Sequence, residues 1–215
     1  MATELSHLFY AQKVLAKDLG FFNKKDFFLG TVFPDIRYLG VITREESHGQ
    51  LKSFNEISEV ESSFMAGVHF HTLMDYARQT FIRNNGFYRK YENGHQYTIS
   101  GKLFEDFLLF KQVENKAEII ESFLKVTKEG IGFNIEEQAI QSWFNEIAKY
   151  LEVGPNNESI ERFLRFLGFR DEPITLILNN IEKMLSDPWL NDLITEFDLT
   201  FDHWMRQDIR TMKLE

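Results

Sequence analysis

Two histidines and an aspartate fall within the ten residues AGVHFHTLMD, positions 66–75. An imidazole nitrogen and a carboxylate oxygen are ligands for a divalent cation, and the same groups serve as general acids and bases. Spacing decides which of the three work together. In a helix, His71 and Asp75 lie four positions and about 40° apart, so they share a face. His69 stands about 120° from Asp75 and nearly two turns away. His71 and Asp75 can therefore serve one ion, and His69 reads as a core or helix-surface histidine. A His–Asp pair at this spacing is also a common side-chain hydrogen bond, so alone it does not define a site.

Three more polar residues sit in apolar sequence. His7 interrupts the apolar face of the first helix, in register with Ala11. Asp35 lies in FFLGTVFPDIRYLG, flanked by long apolar runs, and His48 follows in a glycine-bounded loop. An unpaired buried charge is expensive, so Asp35 needs a partner. A divalent cation could supply it to all of these groups at once. Satisfied core histidines and a salt-bridged Asp35 would also account for the pattern. Arg37 and Arg44 flank these residues, and could receive a phosphate or pair with Glu45 and Glu46. Tyr10 and Tyr38 could orient ligands or fill the core and rim. His95 reads as exposed beside a turn, and His203, next to Trp204, as packing a helix.

The elements that must position these groups are helical nearly throughout. Leu5, Leu8, Phe9, Gln12, Leu15 and Leu19 form an i, i+3, i+4 stripe over 3–19 behind a Thr3 cap. A short Phe-rich helix over 24–33 should stop before Pro34. Residues 36–55 read as a loop with at most one short helical turn. A long helix from about 58 to 83 ends at Asn84-Asn85-Gly86. Residues 86–99 have strand-like chemistry around an Asn-Gly pair, and read as a loop or a tight hairpin. Helices then follow at about 101–115, 117–129, 135–152, 157–168, 173–186 and 189–212, with short breaks between them. The fold class is all-α, a multi-helix bundle in one domain spanning 1–215. Residues 1–85 carry the polar site, and 100–215 form a remainder of unknown role. The phenylalanines of LFEDFLLF, ESFLKV and ERFLRFLGF read as bundle core, with an acyl-binding groove as the other option.

Composition narrows the function classes. The chain has no cysteine, so disulfides and thiolate metal sites are excluded, which fits a reducing compartment. A net charge of −9 argues against broad binding to nucleic acid or anionic lipid. The N-terminus lacks the basic start and unbroken apolar run of a signal peptide, and no apolar stretch approaches the ~20 residues of a transmembrane anchor. The expected location is the cytoplasm.

Four segments, in order, resemble the bacterial zinc-dependent phospholipase C family and the related S1/P1-type nucleases. They are HLFYAQKVL, FLGTVFPDI, ESHG and FMAGVHFHTLMD. Together they cover roughly residues 5–82. That family reads as an early helical His, then G-x-x-x-P-D, a His some 14 residues on, and an apolar G-x-x-x-H-x-x-x-D helix. The resemblance implies an all-helical fold in which Asp35, His48, His71 and Asp75 hold a zinc ion. It also implies that His7 helps hold a second, with Asp75 able to bridge and Asp35 doubling as the catalytic base. In the family, the free amino terminus of the processed enzyme completes the second site; here His7 is six residues from Met1.

The sequence departs from the family pattern further on. Position 81 is Phe81, where another His is usual, and no distal His-x3-Glu pair follows: His95 precedes Ile99 and His203 precedes Gln207. One zinc is expected, two at most. The implied activity is metal-dependent hydrolysis of a small-molecule or lipid phosphodiester. The alternative is a catalytically inactive interaction protein that binds a protein partner and keeps a structural or vestigial metal pocket.

Overall fold

The protein is described here as a computed structural model covering residues 3–49, 53–91 and 95–207, with 95 and 96 as backbone alone. Every regular element among these residues is helical. The first six α-helices are α1 (Glu4–Lys17), α2 (Lys24–Val32), α3 (Arg44–Ser47), α4 (Ser63–Asn84), α5 (Phe87–Lys90) and α6 (His95–Leu109). They are followed by α7 (Lys116–Leu124), α8 (Lys128–Ile131), α9 (Glu137–Val153), α10 (Asn157–Phe166), α11 (Asp171–Leu185) and α12 (Pro188–Met205). Short 3₁₀ segments occupy Phe33–Leu39, Phe54–Glu59 and Phe110–Gln112. One buried apolar cluster runs from Leu5 to Met205, so both halves of the chain share a core.

Several boundaries differ from the sequence expectation. The α-helix α2 stops at Val32, ahead of Pro34 as expected, but the chain stays helical. Pro34 sits in the first turn of the 3₁₀ helix that continues α2, where a missing N–H leaves no bond unmade. The 36–55 stretch is more ordered than a loop. Thr43 and Glu46 form a capping box that starts α3, each side chain bonding the other's backbone amide. The 86–99 stretch is neither strand nor plain loop where it is described. Gly86, at φ 85°, turns the chain into α5, and α6 has already begun at His95. The Asn-Gly turn itself falls outside the described residues. The 117–129 helix divides into α7 and α8, and α12 ends at Met205, with 208–212 outside the described residues.

Two glycines set the geometry that matters for the site. A Cβ on Gly30 of α2 would stand 1.8 Å from the Phe64 carbonyl oxygen, and one on Gly67 of α4 would stand 2.2 Å from that of Phe27. The helices therefore cross backbone against backbone. This contact brings the Thr31 carbonyl within 2.9 Å of His71 Nδ1. Gly67→Ala is expected to cost about 1–3 kcal/mol, because the obstructing atoms are backbone and cannot rotate away. It should also weaken metal binding by displacing Thr31. Thermal unfolding and a metal titration check both effects, and an unchanged melting temperature would contradict the packing argument.

The C-terminal half closes over this crossing. Trp143 of α9 donates its indole N–H to the Val32 carbonyl at 3.0 Å. Helix α12 packs along α4 and is tied to α1 by the ion pairs Lys13–Asp198 and Lys17–Asp202. Phe81 is buried here against Phe197 and Trp204, at ring-centroid distances of 5.1 and 5.6 Å. Tyr10 stacks on Phe201 at 4.4 Å, a core tyrosine.

Candidate metal centre

The structure gathers His7, Asp35, His48, His71 and Asp75 into one buried cluster, each at most 9% exposed. Four local devices supply them. Helix α1 directs His7 inward on its apolar face, α4 presents His71 and Asp75 one turn apart, and the 3₁₀ helix after α2 supplies Asp35. His48 is the C-cap of α3, its backbone N–H donating to the Arg44 carbonyl. Two trios have ligand atoms within 4.8 Å of one another: His7, His71 and Asp75; and Asp35, His48 and His71. Small side-chain movements bring such atoms to the ~2.0–2.2 Å that imidazole and carboxylate ligands adopt around zinc.

The imidazoles are oriented for ligation. A carbonyl only accepts, so His71 Nδ1 carries the proton it donates to Thr31, and Nε2 is left with its lone pair facing the cluster. Ser47 donates to the Arg44 carbonyl at 3.4 Å and so accepts from His48 Nδ1 at 2.9 Å, which points His48 Nε2 inward as well. Neither Nε2 has a hydrogen-bond partner, nor does either nitrogen of His7. The His7 and His71 rings stack at 3.9 Å. His7 Nε2 lies 3.3 Å from Asp75 Oδ1, within ion-pair range but not aligned as a hydrogen bond. Buried polar atoms are almost always satisfied, so this convergence of bare nitrogens on two carboxylates fits a bound cation.

Electrostatics agree. Burial first, and the neighbouring His71 second, push both His7 and His48 down to about 3. Both imidazoles are neutral, the form that ligates. Burial works against the charge of Asp75, yet its surroundings outweigh that penalty and hold its carboxyl well below the ordinary range. His71 belongs to both trios and has Nε2 free to ligate, so the two trios share one donor.

The remaining sequence candidates sort plainly. His69 is half-buried outside the cluster, close under the Gly49 backbone, where a Cβ would meet its ring at 1.7 Å. Arg37 pairs with Asp35 at 3.2 Å and lies over the Tyr38 ring at 4.1 Å. His203 is exposed and bonds Gln207, so it does not pack a helix as expected. The side chain of His95 lies outside the described residues.

Sequence reasoning missed a second polar layer on α6, in GKLFEDF. Lys102, Glu105 and Asp106 are all buried there. Asp106 accepts hydrogen bonds from Tyr150, at 2.8 Å, and from Thr3. Arg78, one turn beyond Asp75 on α4, donates to Glu105 at 2.5 Å. Charged residues at i, i+3 and i+4 within an apolar stripe were the available signal. A cavity of about 170 Å³ opens beside this layer, lined by Glu4, Asp35, Tyr38 and Lys102 and walled by Leu103, Phe163 and other apolar residues. The ERFLRFLGF segment is therefore partly core and partly cavity wall.

Two predictions concern the supports of the centre. Ser47→Ala releases His48 Nδ1 and is expected to weaken metal affinity by roughly 10–100-fold, with little change in unfolding; competition with a chelator measures it, and wild-type affinity would exclude the orienting role. The second is a pH profile of the metal-free protein. His7 and His48 take a proton near 6.5 when unfolded but only near about 3 when folded, so stability is full above 6.5 and is lost as the pH falls. Burial raises Glu4 to about 8, with Asp35 adding to the effect, and Asp106 to about 7. The native state then holds protons that the unfolded chain has released, so stability falls as pH rises toward those values. The two effects oppose between roughly pH 4.5 and 6.5, and only the carboxyl effect remains above. Between pH 6.5 and 8 the loss should be on the order of 2 kcal/mol, and smaller in Glu4→Gln. Urea unfolding in EDTA reads it, and a flat wild-type profile would contradict it.

No family model, no curated protein and no solved structure matches this chain. Among the described residues, no helix is long and apolar enough to cross a membrane.

Proposed function

We propose that the protein is a metal-dependent phosphoesterase, with zinc as its ion and a small-molecule or lipid phosphodiester as its substrate. The observation that carries this reading is the position of Asp35, which belongs to a metal trio and also lines the adjacent cavity. A ligand in the cavity therefore meets the centre at Asp35. A divalent cation would supply Lewis-acid chemistry there, polarising a phosphoryl oxygen and acidifying water. Imidazole and carboxylate donors without thiolate suit zinc among the available metals. His7, Asp35, His48, His71 and Asp75 hold the ion, and Asp35 doubles as the base that orients water and accepts its proton. Arg37, bonded to both Asp35 and the Tyr38 hydroxyl, fixes that carboxylate in place.

The test is elemental analysis of protein purified without a histidine tag, followed by hydrolysis of bis-p-nitrophenyl phosphate with Zn²⁺ or Mn²⁺ added. The reading expects close to one equivalent of metal and metal-dependent release of p-nitrophenol. Bound metal with no turnover across a panel of phosphodiesters would leave a silent metal pocket in its place.

A further inference from the structure

Lys102 stands apart from the other buried cation of this region. Arg78 is 2% exposed and is met by Glu105 at 2.5 Å. Lys102 is 8% exposed, yet among the described residues its ammonium has neither a hydrogen bond nor an ion pair. Glu4 and Asp35 line the same cavity without coming within ion-pair distance of it. Burying most of a lysine side chain with no carboxylate in ion-pair range is costly. A fold that pairs Arg78 closely and leaves Lys102 bare keeps that charge for something that enters from outside.

We propose that Lys102 receives an anionic phosphoryl oxygen of the substrate, and that the apolar wall beside it receives the organic group the phosphate carries. The wall is formed by Ile99, Leu103, Phe163 and Leu164. Asp35 lines the same cavity, so a phosphoryl group resting on Lys102 lies next to the metal centre. The volume, about 170 Å³, is an order of magnitude above the ~15 Å³ that one water needs, enough for a phosphoryl group with a short apolar arm. Burial draws the Lys102 pKa down, and the carboxylates of Asp35 and Asp75 work against that shift. Lys102 is a positioning and specificity residue, and its assignment rests on the phosphoesterase reading.

The experiment titrates inorganic phosphate into the zinc-loaded, full-length protein by calorimetry, for the wild type, Lys102→Met and Lys102→Arg. Lys102→Met should weaken phosphate binding by at least about tenfold with bound metal unchanged, and Lys102→Arg should restore most of it, as expected for loss and return of a charge-assisted hydrogen bond. With bis-p-nitrophenyl phosphate, Lys102→Met should raise KM more than it lowers kcat. Equal phosphate affinity in wild type and Lys102→Met overturns the proposal, as does a wild type that binds no phosphate at millimolar concentration. If Lys102→Met does not fold, Ile99→Trp replaces it. Filling the cavity from its half-buried wall must weaken phosphate with metal content intact, and unchanged affinity overturns the proposal. Absence of metal or turnover while phosphate still binds through Lys102 counts against the phosphoesterase reading instead.

Discussion

His71→Ala is expected to leave the protein without a metal centre. His71 is common to both trios, and its Nε2 is the donor around which the other four ligands converge. Removing it leaves His7 with Asp75 on one side and Asp35 with His48 on the other. Neither two-residue remnant holds an ion against a chelator as three or four ligands do. Bound zinc should fall from close to one equivalent to a small fraction of that, and any phosphodiesterase turnover should drop by at least about 100-fold. The fold should survive at a cost of about 1–3 kcal/mol, since the Thr31 carbonyl loses its hydrogen bond and the buried ring leaves a cavity. Circular dichroism and metal analysis on the same sample separate loss of metal from loss of structure. Full zinc retention in a folded His71→Ala protein would refute the centre as described.

Arg78→Met should have the largest effect on stability. Arg78 and Glu105 are 2% and 0% exposed and join α4 to α6, with Arg78 three residues beyond Asp75. Burial already raises the Glu105 pKa, and Arg78 opposes that shift. Without Arg78, Glu105 is left as a buried carboxyl that must either stay charged without compensation or take up a proton. Breaking one side of a buried pair costs about 3–5 kcal/mol. Replacing both, as in Arg78→Met with Glu105→Leu, should recover most of the loss, since a well-packed apolar pair of similar volume is often neutral or stabilising. Chemical denaturation of the single and double variants measures the coupling. A single variant within 1 kcal/mol of wild type, or a double variant no better than the single, would show that the pair does not join the helices in this way.

The ligand cluster was largely legible because its residues announce themselves against their neighbours. His7 interrupts an apolar stripe, His71 and Asp75 share a helical face by spacing alone, and Asp35 follows a Gly-x-x-x-Pro segment bounded by phenylalanines. The same periodicity misled on α6, where Lys102, Glu105 and Asp106 were absorbed into a stripe of aromatic core. The 86–99 stretch looked strand-like because Tyr97, Thr98 and Ile99 favour strands locally, yet packing of α6 against α1 and α11 makes them helical. The loop between α2 and α4 is organised by a capping box and two 3₁₀ segments too short to leave a periodic trace.

The sequence by itself determined that the protein is helical, that no thiolate takes part, and that His71 and Asp75 act on one face without His69. Those properties depend on composition and on the angle between residues of one helix, both fixed by the chain locally. Tertiary structure alone decided that five side chains from two α-helices, a 3₁₀ helix and the end of α3 meet, and that Phe81 belongs to the core. It also decided that Arg78 is paired while Lys102 has no ion pair among the described residues, and that a cavity opens at Asp35. These depend on which surfaces face each other after α2 and α4 cross at Gly30 and Gly67. Helical periodicity fixes the direction in which a residue points, and the packing of the helices fixes what it meets there.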